Sequence, residues 1–239
     1  MREEVRPLGV EIVTDCLETL GAQEGQPFVD AAAPTHPTLL DRAHQVDAAF
    51  GILNIPNAVW IDEHGQIVRP VEPAWPGPRD TAAGSALRDS GVERLSAIAG
   101  QAGDIVAWTA DTYADAVRDW ARNGAESPFV LSPEEVIARS GVRNLDTSGA
   151  AAHFELAQHF ERAGQHEQAV PHFRQAHALA PDNWTYKRQA WSLSGPEGPF
   201  KRFWQGPQEG QAWEYEGDWL KDITATGASN YYVETKPLS

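Results

Sequence analysis

Cys16 is the single cysteine among 239 residues, so within this chain an internal disulfide, a CxxC redox pair and a cysteine-rich zinc site are excluded. Its neighbours Asp15 and Glu18 are acidic. Nearby anions disfavour the thiolate that a nucleophile needs. Cys16 is therefore a weak catalytic candidate, and its plainer reading is a small, half-buried thiol. The histidines His153, His159, His166, His172 and His177 recur at five- to seven-residue spacing and never as HExxH, which scatters them around two helices as solvated surface groups rather than metal ligands. No phosphate loop of the GxxxxGK[ST] kind, GxGxxG fingerprint or GxSxG elbow occurs. The acidic pairs Asp62-Glu63 and Glu134-Glu135 are explained by a turn and a helix cap, and the sequon Asn183-Trp184-Thr185 by chance. The sequence gives no reason to expect a metal or a cofactor.

The elements that would position these groups begin with GVEIVT (Gly9 to Thr14), a β-branched run of the kind buried in a parallel sheet. Arg2 to Arg6 ahead of it reads as the last turn of a helix, and Gln23 to Ala33 as a weak helix. Thr38 to Leu40 starts a short strand, and Asp41 is an N-cap for a helix carrying Ala43, Val46, Ala49 and Phe50 up to Gly51. Ala58 to Ile61 and Gln66 to Val68 flank the polar link Asp62-Glu63-His64-Gly65, which predicts a β-hairpin. Pro70, Pro73, Pro76 and Pro78 then mark a boundary.

Beyond it the pattern is helical. Tyr113, Val117, Trp120 and Ala121 share one helical face that ends at Asn123-Gly124, and Ser132-Pro133-Glu134-Glu135 is a capping box for a helix stopping at Gly141. From Ala150 to Asn183 two helical halves break at Gly164-Gln165, with Leu156, Ala157, Phe160, Ala169, Phe173, Ala176 and Pro181 at the offsets of one tetratricopeptide repeat, which this stretch resembles. It departs from that pattern at His153, where an aromatic residue is usual, and at Pro171 inside the second helix. Residues 184 to 193 supply a capping helix with Trp184 and Trp191. Past Ser194 the chain is rich in Gly, Pro and large rings, among them Phe200, Phe203, Trp204, Trp213, Tyr215, Trp219, Tyr231 and Tyr232. Two readings of this tail stand: it wraps back onto the helical layer, or it forms an aromatic binding surface.

The order GVEIVT, PTHPTLLD, AFGILNIPNAVWIDEHGQIV over residues 5 to 75 resembles the second half of a thioredoxin-like domain of the redoxin family, in its ResA/TlpA-like group with selenocysteine-containing members. Ile55-Pro56 ahead of the hairpin corresponds to the family's cis-proline. By that resemblance Ile55, Pro56 and Asn57 form the substrate-binding platform beside the active-site thiol, although Thr is more usual where Asn57 stands. The resemblance implies that the redox motif and the central strand before it lie upstream of Met1, and Met1 is expected to be a start codon downstream of a UGA that was read as a stop but encodes selenocysteine. The sheet is then expected to lack the ladder partner between the strand at residues 10 to 13 and the strand at 58 to 61, and this chain to lack its nucleophile.

The balance of 19 Lys+Arg against 34 Asp+Glu, a net charge of -15, has the wrong sign for nucleic acid or anionic lipid. No apolar run approaches the ~20 residues of a membrane span. The N-terminus MREEVRPLG carries no apolar signal region, which reads as cytoplasmic, or as extracytoplasmic if a signal lies upstream. The fold class expected is an incomplete α/β thioredoxin-like unit (1–72), a Pro-rich junction (73–80), a helical region (81–148), a helix pair of the tetratricopeptide kind with its capping helix (149–193), and the aromatic tail (194–239). The function expected is thiol- or selenol-disulfide oxidoreduction, or peroxide reduction, acting on a thiol/disulfide substrate or redox partner protein. The alternative is a redox-inactive module that binds a protein or peptide on its helices.

Overall fold

The computed structural model describes residues 1–74, 96, 112–194, 206–207, 210 and 212–231. Most of the Pro-rich junction, the helical expectation over 81–95 and 97–111, and the tail aromatics Phe200, Phe203, Trp204 and Tyr232 lie outside the described residues. The fold is mixed α/β, with small sheets and a helical C-terminal region. In chain order the described elements are α1 (Arg2–Val5), β1 (Thr14–Leu17), α2 (Ala22–Ala32), β2 (Thr38–Asp41), α3 (Gln45–Phe50), β3 (Asn57–Ile61), β4 (Ile67–Pro73) and α4 (112–123). They continue with α5 (Pro133–Ser140), α6 (Leu145–Arg162), α7 (His166–Leu179), α8 (Trp184–Leu193), α9 (Trp219–Thr226) and α10 (Ala228–Tyr231). The chain divides into two compact units, each drawn from separated segments.

One unit comprises Met1–Glu11, Pro56–Gly141 and Leu220–Ser239. Its sheet is the antiparallel hairpin β3–β4. The link between the strands is tight because Asp62 Oδ1 accepts from the backbone of His64 (2.9 Å) and Gln66 (2.8 Å), while Gly65 takes the left-handed φ of 77° that a side chain would strain. Trp60 is buried on this hairpin. Its indole N–H donates to Tyr113 Oη at 2.7 Å, and its ring stacks on Trp120 at 4.9 Å. Arg69, buried on β4, pairs with Glu72, donates to the carbonyl of Phe129 at 2.9 Å and lies 5.5 Å from the Trp60 ring centroid. A buried guanidinium persists when paired and bonded in this way. The capping box of α5 is complete: Ser132 Oγ accepts from Glu135 N–H, and the Glu135 carboxylate accepts from Ser132 N–H.

The other unit comprises Ile12–Ile55 and Val142–Trp219. Here β1 and β2 run parallel, with α2 as their crossover, in the register Thr14↔Thr38 to Leu17↔Asp41. The first strand thus lies three to five residues further along than GVEIVT suggests. Gly9, at φ 94°, caps the 3-10 turn Arg6–Leu8, and the β2 ladder begins only where Thr14 N–H donates to the carbonyl of Pro37. A strand forms where its partner is, and β2 reaches no earlier residue. The helix after β2 also starts late, at Gln45, because the Asp41 carboxylate reaches forward to the N–H groups of Ala43 (3.1 Å) and Val46 (2.7 Å).

In the same unit α6 and α7 form a helical hairpin broken at Gly164, and α8 follows it. Pro171 sits inside α7 without ending it. The core between these helices holds Phe154, Ala157, Ala169, Phe173, Ala176, Trp184 and Trp191, all buried. Small residues at the crossing let the helix axes approach, and the two Phe rings, 5.7 Å apart, fill what remains. Asn183 is buried and caps α8 by accepting from Tyr186 N–H, so the sequon asparagine is a structural cap.

Candidate functional site

Around His44, between β2 and α3, a left-handed backbone and a buried polar network come together in the unit that holds α6 to α8. His44 is buried and adopts φ 53°, ψ 40°, a left-handed conformation that is costly for a residue with a Cβ. Its position is held from several sides. The ring packs edge-on to Phe154 at 5.1 Å, Nε2 lies 3.2 Å from Gln189 Oε1, and Nδ1 lies 3.7 Å from Asp47 Oδ2. Strain of this kind, roughly 1 to 3 kcal/mol, persists only where surrounding contacts over-determine it, and it concentrates at sites that need a fixed geometry.

Asp47 is buried as well, and burial pushes its carboxyl above the usual carboxylate range, against the opposing pull of His44. Thr185 Oγ1 lies 3.0 Å from Asp47 Oδ2 and 2.5 Å from Asn183 Oδ1. The hydroxyl has one proton to donate. It can therefore serve only one of the two acceptors, Asp47 Oδ2 and Asn183 Oδ1, at a time. In the same unit Glu18 is also shifted upward by burial, and Gln158 donates to Thr19 at 2.8 Å.

Beside His44 opens a cleft of about 350 Å³ whose walls include Arg143, Phe154, Glu155 and Tyr186, with Ala48 and Ala151 leaving the space. Phe154 and Tyr186 stack at 4.1 Å with their planes 18° apart. Burial pushes the Tyr186 phenol up to about 12, so it stays a neutral hydrogen-bonding group at physiological pH. Arg143 donates to the carbonyl of Ala48 at 2.8 Å. Nothing in the sequence singled out His44, because its partner Gln189 lies 145 residues away.

The platform residues remain consecutive, but the division between the two units falls between Ile55 and Pro56. Ile55 ends its segment with its N–H donating to Asn54 Oδ1 at 2.9 Å and its carbonyl 3.5 Å from Arg188. In the other unit the Pro56 carbonyl accepts from Ala74 N–H, and Asn57 opens β3 opposite Pro73. Asn57 Oδ1 is buried and, among the described residues, accepts no hydrogen bond.

Cys16 lies within β1, opposite Leu40, and so not beyond the end of the strand, where the sequence alone would place it after GVEIVT. Burial first, then Glu18 and Asp15, push its thiol above the ordinary range. Asp15, with both carboxylate oxygens buried and without a hydrogen bond among the described residues, is itself shifted upward by burial and by Asp41.

The histidines of the helical hairpin are less solvated than their spacing suggests. His153 and His172 are half-buried and stacked at 5.1 Å with their Nδ1 atoms 2.9 Å apart, His166 lies between Glu161 and Glu214, and only His159 of these is exposed. His177 packs against Trp191 and Tyr215. At Glu214 and Tyr215 the tail packs as the wrap-back reading expects: Tyr215 is buried against His177 and the Glu214 carbonyl accepts from Arg174. Among the described residues no three His, Cys, Asp or Glu side chains converge as a metal-binding group, and no helix is long and apolar enough to cross a membrane. No family model, no curated protein and no solved structure matches the chain.

Proposed function

We propose that this chain is part of a thioredoxin-like redox protein of the ResA/TlpA-like kind, one that reduces a disulfide or a peroxide with a thiol or selenol supplied from outside the residues present here. The observation that carries the reading is the succession of a parallel pair β1–β2 joined through α2, the short helix α3, and Ile55-Pro56-Asn57 leading straight into an antiparallel hairpin. The resemblance asks for these elements in this order. It also asks for a further strand alongside β1 and β3, and among the described residues β1 bonds only to β2 and β3 only to β4. Cys16 is poorly suited to be the nucleophile, since its surroundings raise its pKa where attack on a disulfide needs a thiolate. Within this reading Ile55 and Asn57 present backbone groups to an extended substrate, and the α6–α7 hairpin is a single repeat of the tetratricopeptide kind packed on the rest of its unit.

The coding DNA ahead of Met1, read in the same frame, tests this. The proposal expects a strand and an active-site motif with a cysteine or selenocysteine codon. A frame with no coding potential there contradicts it.

The cleft beside His44 favours a second reading, a redox-inactive binding module on the same scaffold. An unextended chain that captures a ligand and shows no redox turnover in any form would support that alternative.

A further inference from the structure

We propose that the cleft beside His44 is a binding site for a small zwitterion, an α-amino acid with an apolar side chain. Its volume of about 350 Å³ sits at the lower end of the range for small-ligand sites, roughly 300 to 1,000 Å³. Its walls carry one cation and one anion, Arg143 and Glu155. Both are exposed, and among the described residues neither is engaged in an ion pair, with each other or with any other group. Two opposite charges that line one cleft without neutralising each other match a ligand that carries both signs. Arg143 has already committed one N–H to the Ala48 carbonyl, which fixes its guanidinium at the rim and leaves further donors for a carboxylate.

The rest of the lining suits the remainder of such a ligand. Phe154 and Tyr186, buried and stacked on each other, are part of its lining. Ala48, Ala49 and Ala151 leave space that larger residues would fill. His44, in the strained turn ahead of α3, also lines the cleft and is pinned by Gln189 and Phe154. A rigid, over-determined wall is what a preformed site requires, since no ordering cost is then met on binding.

The test is isothermal titration of the full chain with L-phenylalanine, with L-phenylalaninamide, which lacks the carboxylate, and with 3-phenylpropanoate, which lacks the ammonium. Saturable binding of L-phenylalanine is expected, with each analogue weaker by about tenfold or more. Arg143→Met should weaken L-phenylalanine and 3-phenylpropanoate while leaving phenylalaninamide unchanged. Glu155→Gln should show the mirror pattern, and both residues are exposed, so the fold does not depend on their charge. Absence of saturable L-phenylalanine binding overturns the proposal. So does equal affinity for all three probes, or binding indifferent to both substitutions.

Discussion

His166 holds Glu214 across 48 residues of sequence, its Nε2 lying 2.9 Å from both carboxylate oxygens while its Nδ1 lies 2.5 Å from Glu161. The imidazolium between two carboxylates fastens Glu214 of the tail to the N-terminus of α7. Glu161 first, then Glu214, raise the His166 pKa from 6.5 to about 9. A group raised on folding contributes stability that is complete below its unfolded pKa and is lost as pH rises through the folded one. Urea unfolding should therefore show stability falling between about pH 6.5 and pH 9 and beyond. Solvent screening of this partly exposed cluster holds the effect to about 1 kcal/mol. His166→Gln should flatten that dependence; an unchanged slope would show that the latch does not act.

Asp47 has the opposite chemistry but the same sign. Burial raises its pKa above the ordinary carboxylate range, so the neutral carboxyl favours the fold, and that contribution is lost as pH rises through the folded value. Asp47→Asn keeps a neutral group of the same shape beside Thr185 and should be neutral or stabilising at pH 7. Asp47→Ala leaves a cavity and unbonded polar neighbours, and should cost about 2 to 3 kcal/mol in the same denaturation experiment.

Tyr113 and Trp60 join α4 to the hairpin through one buried hydrogen bond of 2.7 Å. Tyr113→Phe removes the acceptor and leaves the indole N–H buried without it. A loss of about 1 to 2 kcal/mol is expected, measured by chemical denaturation followed by tryptophan fluorescence.

Cys16 offers a direct chemical readout of its surroundings. With its thiol pKa raised by burial, Glu18 and Asp15, it should react with iodoacetamide at pH 8 more slowly than an unstructured cysteine peptide. Unfolding in urea should abolish the difference. Equal rates in the folded state would mean that the strand environment does not control the thiol.

The parts of this fold that are local in sequence were legible. The hairpin turn follows from Asp62 and Gly65, the α5 cap from Ser132 and Glu135, and the helical break from Gly164, because each signal lies within a few residues of its consequence. The start of β1 was misplaced because a strand depends on a partner, and that partner, β2, lies 24 residues on at Thr38. The His44 site was missed for the same reason on a longer scale. Asp47 is a weak amphipathic-helix residue until Thr185, 138 residues away, faces it. The histidines of α6 and α7 looked solvated because spacing along one helix says nothing of the ring supplied by the next.

The most direct test of the redox account is disulfide reduction measured side by side for two proteins, this chain and the chain extended by the sequence encoded in frame ahead of Met1. With insulin as substrate and dithiothreitol as reductant, the account predicts turnover above the reductant's background only for the extended protein, unchanged by Cys16→Ser. Turnover by the shorter chain that disappears in Cys16→Ser, or an extended protein without activity, would contradict it.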